Sequence, residues 1–328
     1  MANQYFAGVD IGGTKISVVI TNENAKILAR ARKKSRAERG GEQVLERVAE
    51  MVTGACQDAG LTVDQLSAIG VGAPSPILPD GTAVEATNMG WKNFPLTRLL
   101  ERHLKRPVFA ENDCNVGTYG EYELGGHSSA RTLVGLFLGT GLGGGLIKDG
   151  RLIPGENNMA AEFGHLTVVV DGRPCGCQKR GCVEAYASKK GMSYSLRKAI
   201  LLDRRPSLMS TLVEDGTFEN LRSSSLKKCW DENDEVVTEV LREAARYVGV
   251  LAGNLITLLA PNVIVLGGGV MDALGRELLP LIKKSTEEHA FPRASYKDTS
   301  IELATLGDDA VALGAMQYAT SRLMAATR

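Results

Sequence analysis

Three cysteines fall within eight positions of the stretch CGCQKRGCVE, residues 175–184, and EFGH stands just upstream at 162–165. The whole chain has six cysteines and four histidines, so this gathering asks for a chemical reason. A disulfide would leave one of Cys175, Cys177 and Cys182 odd. A thioredoxin-like dithiol needs two residues between its cysteines, and Cys175 and Cys177 have one. Three thiolates and the imidazole of His165 make a closed tetrahedral set, the composition of a structural zinc site, with no position left for an activated water. Spacing alone favours metal, with ordinary buried or surface thiols as the alternative.

Two further stretches have the chemistry of phosphate binding. Asp10-Ile11-Gly12-Gly13-Thr14-Lys15 is a Gly-rich turn that also offers a carboxylate for a metal ion and a cation. Gly139-Thr140-Gly141-Leu142-Gly143-Gly144-Gly145 offers flexibility and a hydroxyl. Backbone N–H groups in such turns bind phosphate. One such turn is weak evidence, because tight hairpins need Gly for steric reasons alone. Two in matching positions, with a third run at Gly267-Gly268-Gly269 after a buried strand, are harder to dismiss.

The stretch PVFAEND ends in Glu111-Asn112-Asp113, where a strand opens into a helix, the usual place for reactive groups in α/β proteins. A lone acidic residue there more often caps the helix. Its company changes the balance: Asn88, Asn112, Asp113, Glu162, His165 and Glu184 donate and accept in the pattern that holds a polyhydroxylated ligand.

The elements that must position these residues form a repeated layout. The first half reads strand (YFAGVD), Gly-rich turn, strand (KISVVIT), turn, strand (KILARARK). A helix over 40–60 follows, then strand SAIGVGAP, helix PLTRLLERHLK, strand PVFAEND and a further helical stretch. The second half repeats it: strand (TLVGLFLG), Gly-rich turn, strand (GLIK), turn, short strand. After an insertion come a long helix ending near Ala260, strand NVIVLGGG, helix DALGRELLPLIKK, strand TSIELATLG and helix ALGAMQYATSRL. Two such α/β units predict two lobes facing each other across a cleft. The expected division is 1–117 plus about 308–328 for a smaller lobe, and 118–307 for a larger one with the cysteine insertion.

A length of 328 residues is comfortable for two cores. Lys plus Arg equals Asp plus Glu at 38 each, so no global field attracts nucleic acid or an anionic membrane. MANQYFAGVDIGGTK lacks a basic segment followed by an apolar one, so the expected location is a reducing cytoplasm, where clustered cysteines more often bind metal than pair. The uncharged stretch 247–269 is cut by Pro261 and Asn262 and reads as a buried helix and strand, not a membrane span. Cys56, Cys114 and Cys229 read as structural.

DIGGTK, GAPSP followed by NMGW, ENDCN, GTGLGGG, EFGH and CGCQKRGCVEAYAS occur in the order found in the ROK family of sugar kinases and related repressors. The chain resembles that family over essentially its whole length, its bacterial glucokinases most. The resemblance implies a duplicated actin/hexokinase-like (ribonuclease H-like) fold. It makes Asp113 the catalytic base toward the 6-hydroxyl of a hexose, with Asn88, Asn112, Glu162, His165 and Glu184 on sugar hydroxyls. Asp10, Gly12, Gly13, Thr14 and Lys15 match the first phosphate motif, Gly139 and Thr140 to Gly145 the second, and Gly267 to Gly269 the ribose and base side of ATP. His165, Cys175, Cys177 and Cys182 match the ligands of a structural Zn²⁺. Mg²⁺ with ATP and a homodimer or homotetramer are also implied. The family's acylmannosamine kinases and fructokinases, and polyphosphate as donor, are the alternatives. Its repressors carry a DNA-binding module that is not expected ahead of a first strand beginning near Tyr5. One departure is visible: the family usually has Gly where Gln178 follows the second cysteine, which concerns the local turn and not the ligand set.

Overall fold

The computed structural model describes residues 4–86, 89–213 and 216–326. Its first half comprises β1 (Tyr5–Ile11), β2 (Lys15–Asn22), β3 (Ile27–Lys34), α1 (Gly41–Asp58), β4 (Leu66–Ala73), β5 (Ala83–Ala86), β6 (Trp91–Phe94), α2 (Leu96–Leu104), β7 (Val108–Asn112) and α3 (Asp113–Leu124). The second half comprises β8 (Thr132–Leu138), β9 (Leu142–Lys148), β10 (Arg151–Leu152), α4 (Glu184–Ala187), α5 (Lys189–Arg197), α6 (Met209–Leu212), α7 (Ser223–Asp231), α8 (Glu235–Leu259), β11 (Val263–Gly267), α9 (Gly269–His289), α10 (Arg293–Lys297), β12 (Ser300–Leu303) and α11 (Ala310–Ala326).

The repeat read from the sequence appears as two sheets of one topology. Their strand orders are β3-β2-β1-β4-β7 and β10-β9-β8-β11-β12. In each, the first three strands form an antiparallel meander and the last two pair parallel. This is the two-lobed actin/hexokinase-like fold.

Strand β1 is buried on both faces. Ala7, Val9 and Ile11 join a core with α1 and α2, while Phe6 on the other face joins Ala312, Leu313 and Met316 of α11. Gly8 and Gly70 pair side by side across β1 and β4. A Cβ at Gly8 would lie 1.9 Å from Ala312 O, and one at Gly70 would lie 1.8 Å from Ala315 O. Backbone therefore rests directly on backbone, and the small residues of α11 are what permit it. The second core centres on α8, read correctly as a buried helix with its carboxyl end at Ala260, and on α9 and β11.

Helices α3 and α11 join the two sheets. Helix α3 leaves the first sheet at Asn112 and lies over β8 and β9, where Phe137 meets Gly117, and Thr118 meets Gly135 and Gly145. Helix α11 leaves the second sheet and returns to the first. Between them, a Cβ at Gly314 would lie 1.8 Å from Val116 O. Several elements went unread in the sequence: the β5–β6 hairpin, where Trp91 stacks on Phe94 at 5.0 Å, and the short helices α4, α5, α6, α7 and α10. Among the described residues, no helix is long and apolar enough to cross a membrane.

Candidate active site

Strand β7 delivers Asn112 and Asp113 to the cleft. Asn112 caps α3, its Oδ1 accepting from Cys114 N at 3.0 Å and Asn115 N at 3.1 Å. From the sequence an acidic residue is the candidate cap here; the cap is Asn112 instead, whose amide nitrogen has no hydrogen-bond partner among the described residues. Asp113 opens α3, and its Oδ1 accepts from Cys114 N at 2.8 Å. Behind them Glu111 is buried and accepts from Asn112 N and Asn115 Nδ2, which fixes the end of the strand.

A trail of acidic groups crosses the cleft from this point. Burial, with the Glu162 carboxylate adding to it, pushes Asp113 up to about 6 against the pull of the Cys114 N–H. Asp10, at the end of β1, is pushed up to about 7 by burial and by Asp113, with Lys15 opposing. Glu162 is raised by desolvation and by Glu184, and lowered by His165. Asp10, Asp113, Glu162 and Glu184 are thus brought within electrostatic reach of each neighbour in turn. Accumulated, partly buried negative charge favours protonated hydroxyls and metal cations as ligands.

The first Gly-rich turn closes with Gly12 N on Lys15 O at 2.9 Å, and Ser35 Oγ donates to Gly13 O at 2.6 Å. Lys15 reaches Asp308 at 3.5 Å, and Arg32 reaches the same carboxylate at 2.7 Å. Asp308 was not anticipated. Its loop is held by Glu121 of α3, fully buried, which accepts from Thr305 N and Leu306 N at 2.9–3.1 Å. A doubled aspartate ahead of the last helix was the available signal.

In the second turn Gly139 N donates to Gly141 O at 2.9 Å. Glu184 Oε2 accepts from Leu142 N at 3.0 Å, so Glu184 is tied to the turn. The glycines beyond it serve packing: a Cβ at Gly143 would lie 2.3 Å from Cys114 Sγ. Their smallness is what lets the helix carrying Asp113 lie on β9. Thr140 stands in the turn, with its carbonyl accepting from Lys190 N at 3.4 Å. Gly268 has φ +86°, the left-handed region that favours glycine, and precedes Gly269 at the first turn of α9. Asn88 lies outside the described residues.

The cysteine insertion folds as a small knuckle. Isolated bridges join Thr167 to Cys182 and Pro174 to Arg180, and Cys175 N donates to Lys179 O at 2.9 Å. The ligand atoms of His165, Cys175, Cys177 and Cys182 all lie within 4.8 Å of one another. Cys175 Sγ is 3.6 Å from His165 Nδ1, and Cys177 Sγ is 3.6 Å from Cys182 Sγ. A zinc tetrahedron with bonds of about 2.3 Å to sulfur has edges of about 3.8 Å, so the donor set fits. Gln178 takes φ +69°, in the left-handed region that favours glycine, so the turn is held at some cost in strain. Arg173 anchors the knuckle from below: it donates to both oxygens of Glu243 at 3.0 Å and lies 4.5 Å over the Tyr186 ring.

Fold and site define a class: a two-lobed α/β protein with an acidic cleft between paired Gly-rich turns and a thiol-rich knuckle at its edge. The family model "ROK family" matches residues 6–322, and the chain belongs to that family. The glucokinase of Halalkalibacterium halodurans is 33% identical over 316 residues, covering 96% of this chain and 94% of its own length. Among solved structures, a ROK family glucokinase from Streptomyces griseus, in complex with glucose and AMPPNP, superposes with a TM-score of 0.84 at 31% identity, covering 97% of this chain and 99% of that one. A ROK hexokinase from Thermus thermophilus gives 0.80 at 30% identity, covering 98% and 100%.

Proposed function

We propose that the protein transfers the γ-phosphoryl group of ATP to the 6-hydroxyl of a hexose, with glucose the first choice. The observation that carries this is Asp113. Its carboxyl is raised to about 6, which keeps it mostly ionised at neutral pH yet basic enough to take a proton, the range suited to a general base. It accepts the proton of the sugar hydroxyl as that oxygen attacks phosphorus in line. Gly12 N and Gly139 N close their own turns, so the N–H groups of Gly13, Thr14, Thr140 and Gly141, with Lys15, hold the phosphates. Asp10 is the residue that would hold Mg²⁺: it lies at the end of β1 beside the first Gly-rich turn, and burial and the neighbouring Asp113 make its charge costly without a cation. The ion, when bound, offsets charge on the transferring group.

Glu162, His165 and Glu184 take the hydroxyls at the far end of the ring, joined by Asn88 and Asn112. His165 presents Nδ1 toward Cys175, leaving Nε2 for the sugar. Zn²⁺ held by His165, Cys175, Cys177 and Cys182 would supply fixed ligand geometry and no chemistry of its own. The similarity to a glucokinase solved with glucose and AMPPNP supports the same reading.

The test is a coupled kinase assay over a hexose panel, with ATP and polyphosphate in parallel. A polar site rejects substrates that leave its groups unpaired, so glucose should exceed fructose and galactose in kcat/KM by at least about tenfold. A glucose to N-acetylmannosamine ratio below one would move the assignment to an acylhexosamine kinase.

A further inference from the structure

Lys189 begins α5 immediately after Ser188, whose side chain accepts from Gly191 N at 3.1 Å and caps the helix. Its own N–H donates to Gly139 O at 3.0 Å, which seats it against the second Gly-rich turn. Its ammonium has no hydrogen bond or ion pair among the described residues. A carbon added at Gly269, the first residue of the 21-residue helix α9, would lie 3.8 Å from Lys189 Nζ and 3.6 Å from Ser223 Oγ. That hydroxyl is buried and likewise without a partner. Burial lowers the Lys189 pKa, and the Asp272 carboxylate opposes it beyond ion-pair distance. Asp272 in turn feels Asp308 and Lys15 of the facing lobe. Lys189 therefore stands on the cleft side, between the second turn and the N-terminus of α9. A half-buried cation and a buried hydroxyl, both unpaired and converging on a helix N-terminus, call for an anion.

We propose that Lys189 and Ser223 bind the non-transferred phosphates of the nucleotide. This rests on the kinase reading above. It assigns the diphosphate end to the Gly269 side, because the transferred group must lie nearer Asp113 and Asp10. Neither residue was singled out in the sequence.

Calorimetry with Mg²⁺ and no sugar separates the two claims, using ADP and adenosine as probes on wild type, Lys189→Met and Lys189→Arg. Wild type binds both probes. Losing a charged hydrogen bond to phosphate should weaken ADP by about tenfold or more in Lys189→Met. Adenosine should stay within about twofold and Lys189→Arg should recover most of the ADP affinity, a pattern that a merely misfolded variant does not give. Equal ADP affinity in wild type and Lys189→Met overturns this inference alone, as does a parallel loss of adenosine. Failure of wild type to bind ADP overturns it together with the kinase reading.

Discussion

Replacing Asp113 with Asn removes a charge that burial makes expensive, and the two consequences run in opposite directions. The carboxyl rises from an ordinary 3.8 to about 6, chiefly through burial, with Glu162 adding to it. At about 1.4 kcal/mol per tenfold change in ionisation, its charge destabilises the folded protein by up to about 3 kcal/mol. A carboxyl raised on folding binds its proton more tightly in the native state. Stability is therefore lost as pH climbs from the ordinary value through about 6. Asn keeps the acceptor for Cys114 N and carries no charge. It should raise the unfolding free energy by about 1–3 kcal/mol at about pH 8, and leave it nearly unchanged at about pH 4. The gain should come with a turnover lower by about 10²–10⁴-fold, the usual share of a general base. Asp10 should also titrate lower in the variant, because Asp113 is one of the groups that raise it to about 7. Urea unfolding of the metal-free protein at the two pH values, and the coupled kinase assay on the same preparation, read all of this. A variant equally destabilised at both pH values would refute the burial argument. Turnover within a factor of a few of wild type would move the base elsewhere.

Cys177→Ser should abolish binding of the roughly one zinc per chain that a four-ligand site implies. It should weaken glucose more than ATP, because the knuckle carries His165, which is assigned here to the sugar; metal analysis and paired titrations check both. Gln178→Gly should stabilise the zinc-free protein by about 1 kcal/mol, since a non-glycine residue at φ +69° bears left-handed strain. A thermal melt that falls on this substitution would mean that the side chain does more there than strain the turn.

The two-lobed architecture was legible because it is written in local periodicity. Buried strands such as YFAGVDI and the amphipathic α8 reveal themselves through neighbours a few positions apart. The knuckle was legible because its ligands lie within eighteen positions of each other, from His165 to Cys182. Helices α6 and α7 were not, being short segments whose apolar residues pack on a core assembled elsewhere. Asn112 and Gly143 show a subtler limit: type and spacing fit ligand binding, while capping and close packing were visible only with α3 laid across β9.

By itself the sequence determined the strand–turn–strand repeats, the His/Cys cluster fit for a metal and the acidic end of β7, since each depends on residue types held at short range. Tertiary structure decided what surrounds them. Lys15 meets Asp308 across 293 positions, and Glu121 meets Thr305 across 184. Lys189 faces Gly269 only because α5 and α9 converge on the same turn. Such encounters follow from how two similar sheets share α3 and α11, and from the burial that makes the charge of ordinary carboxylates costly. No spacing along the chain encodes that burial, because water is excluded by elements distant in sequence.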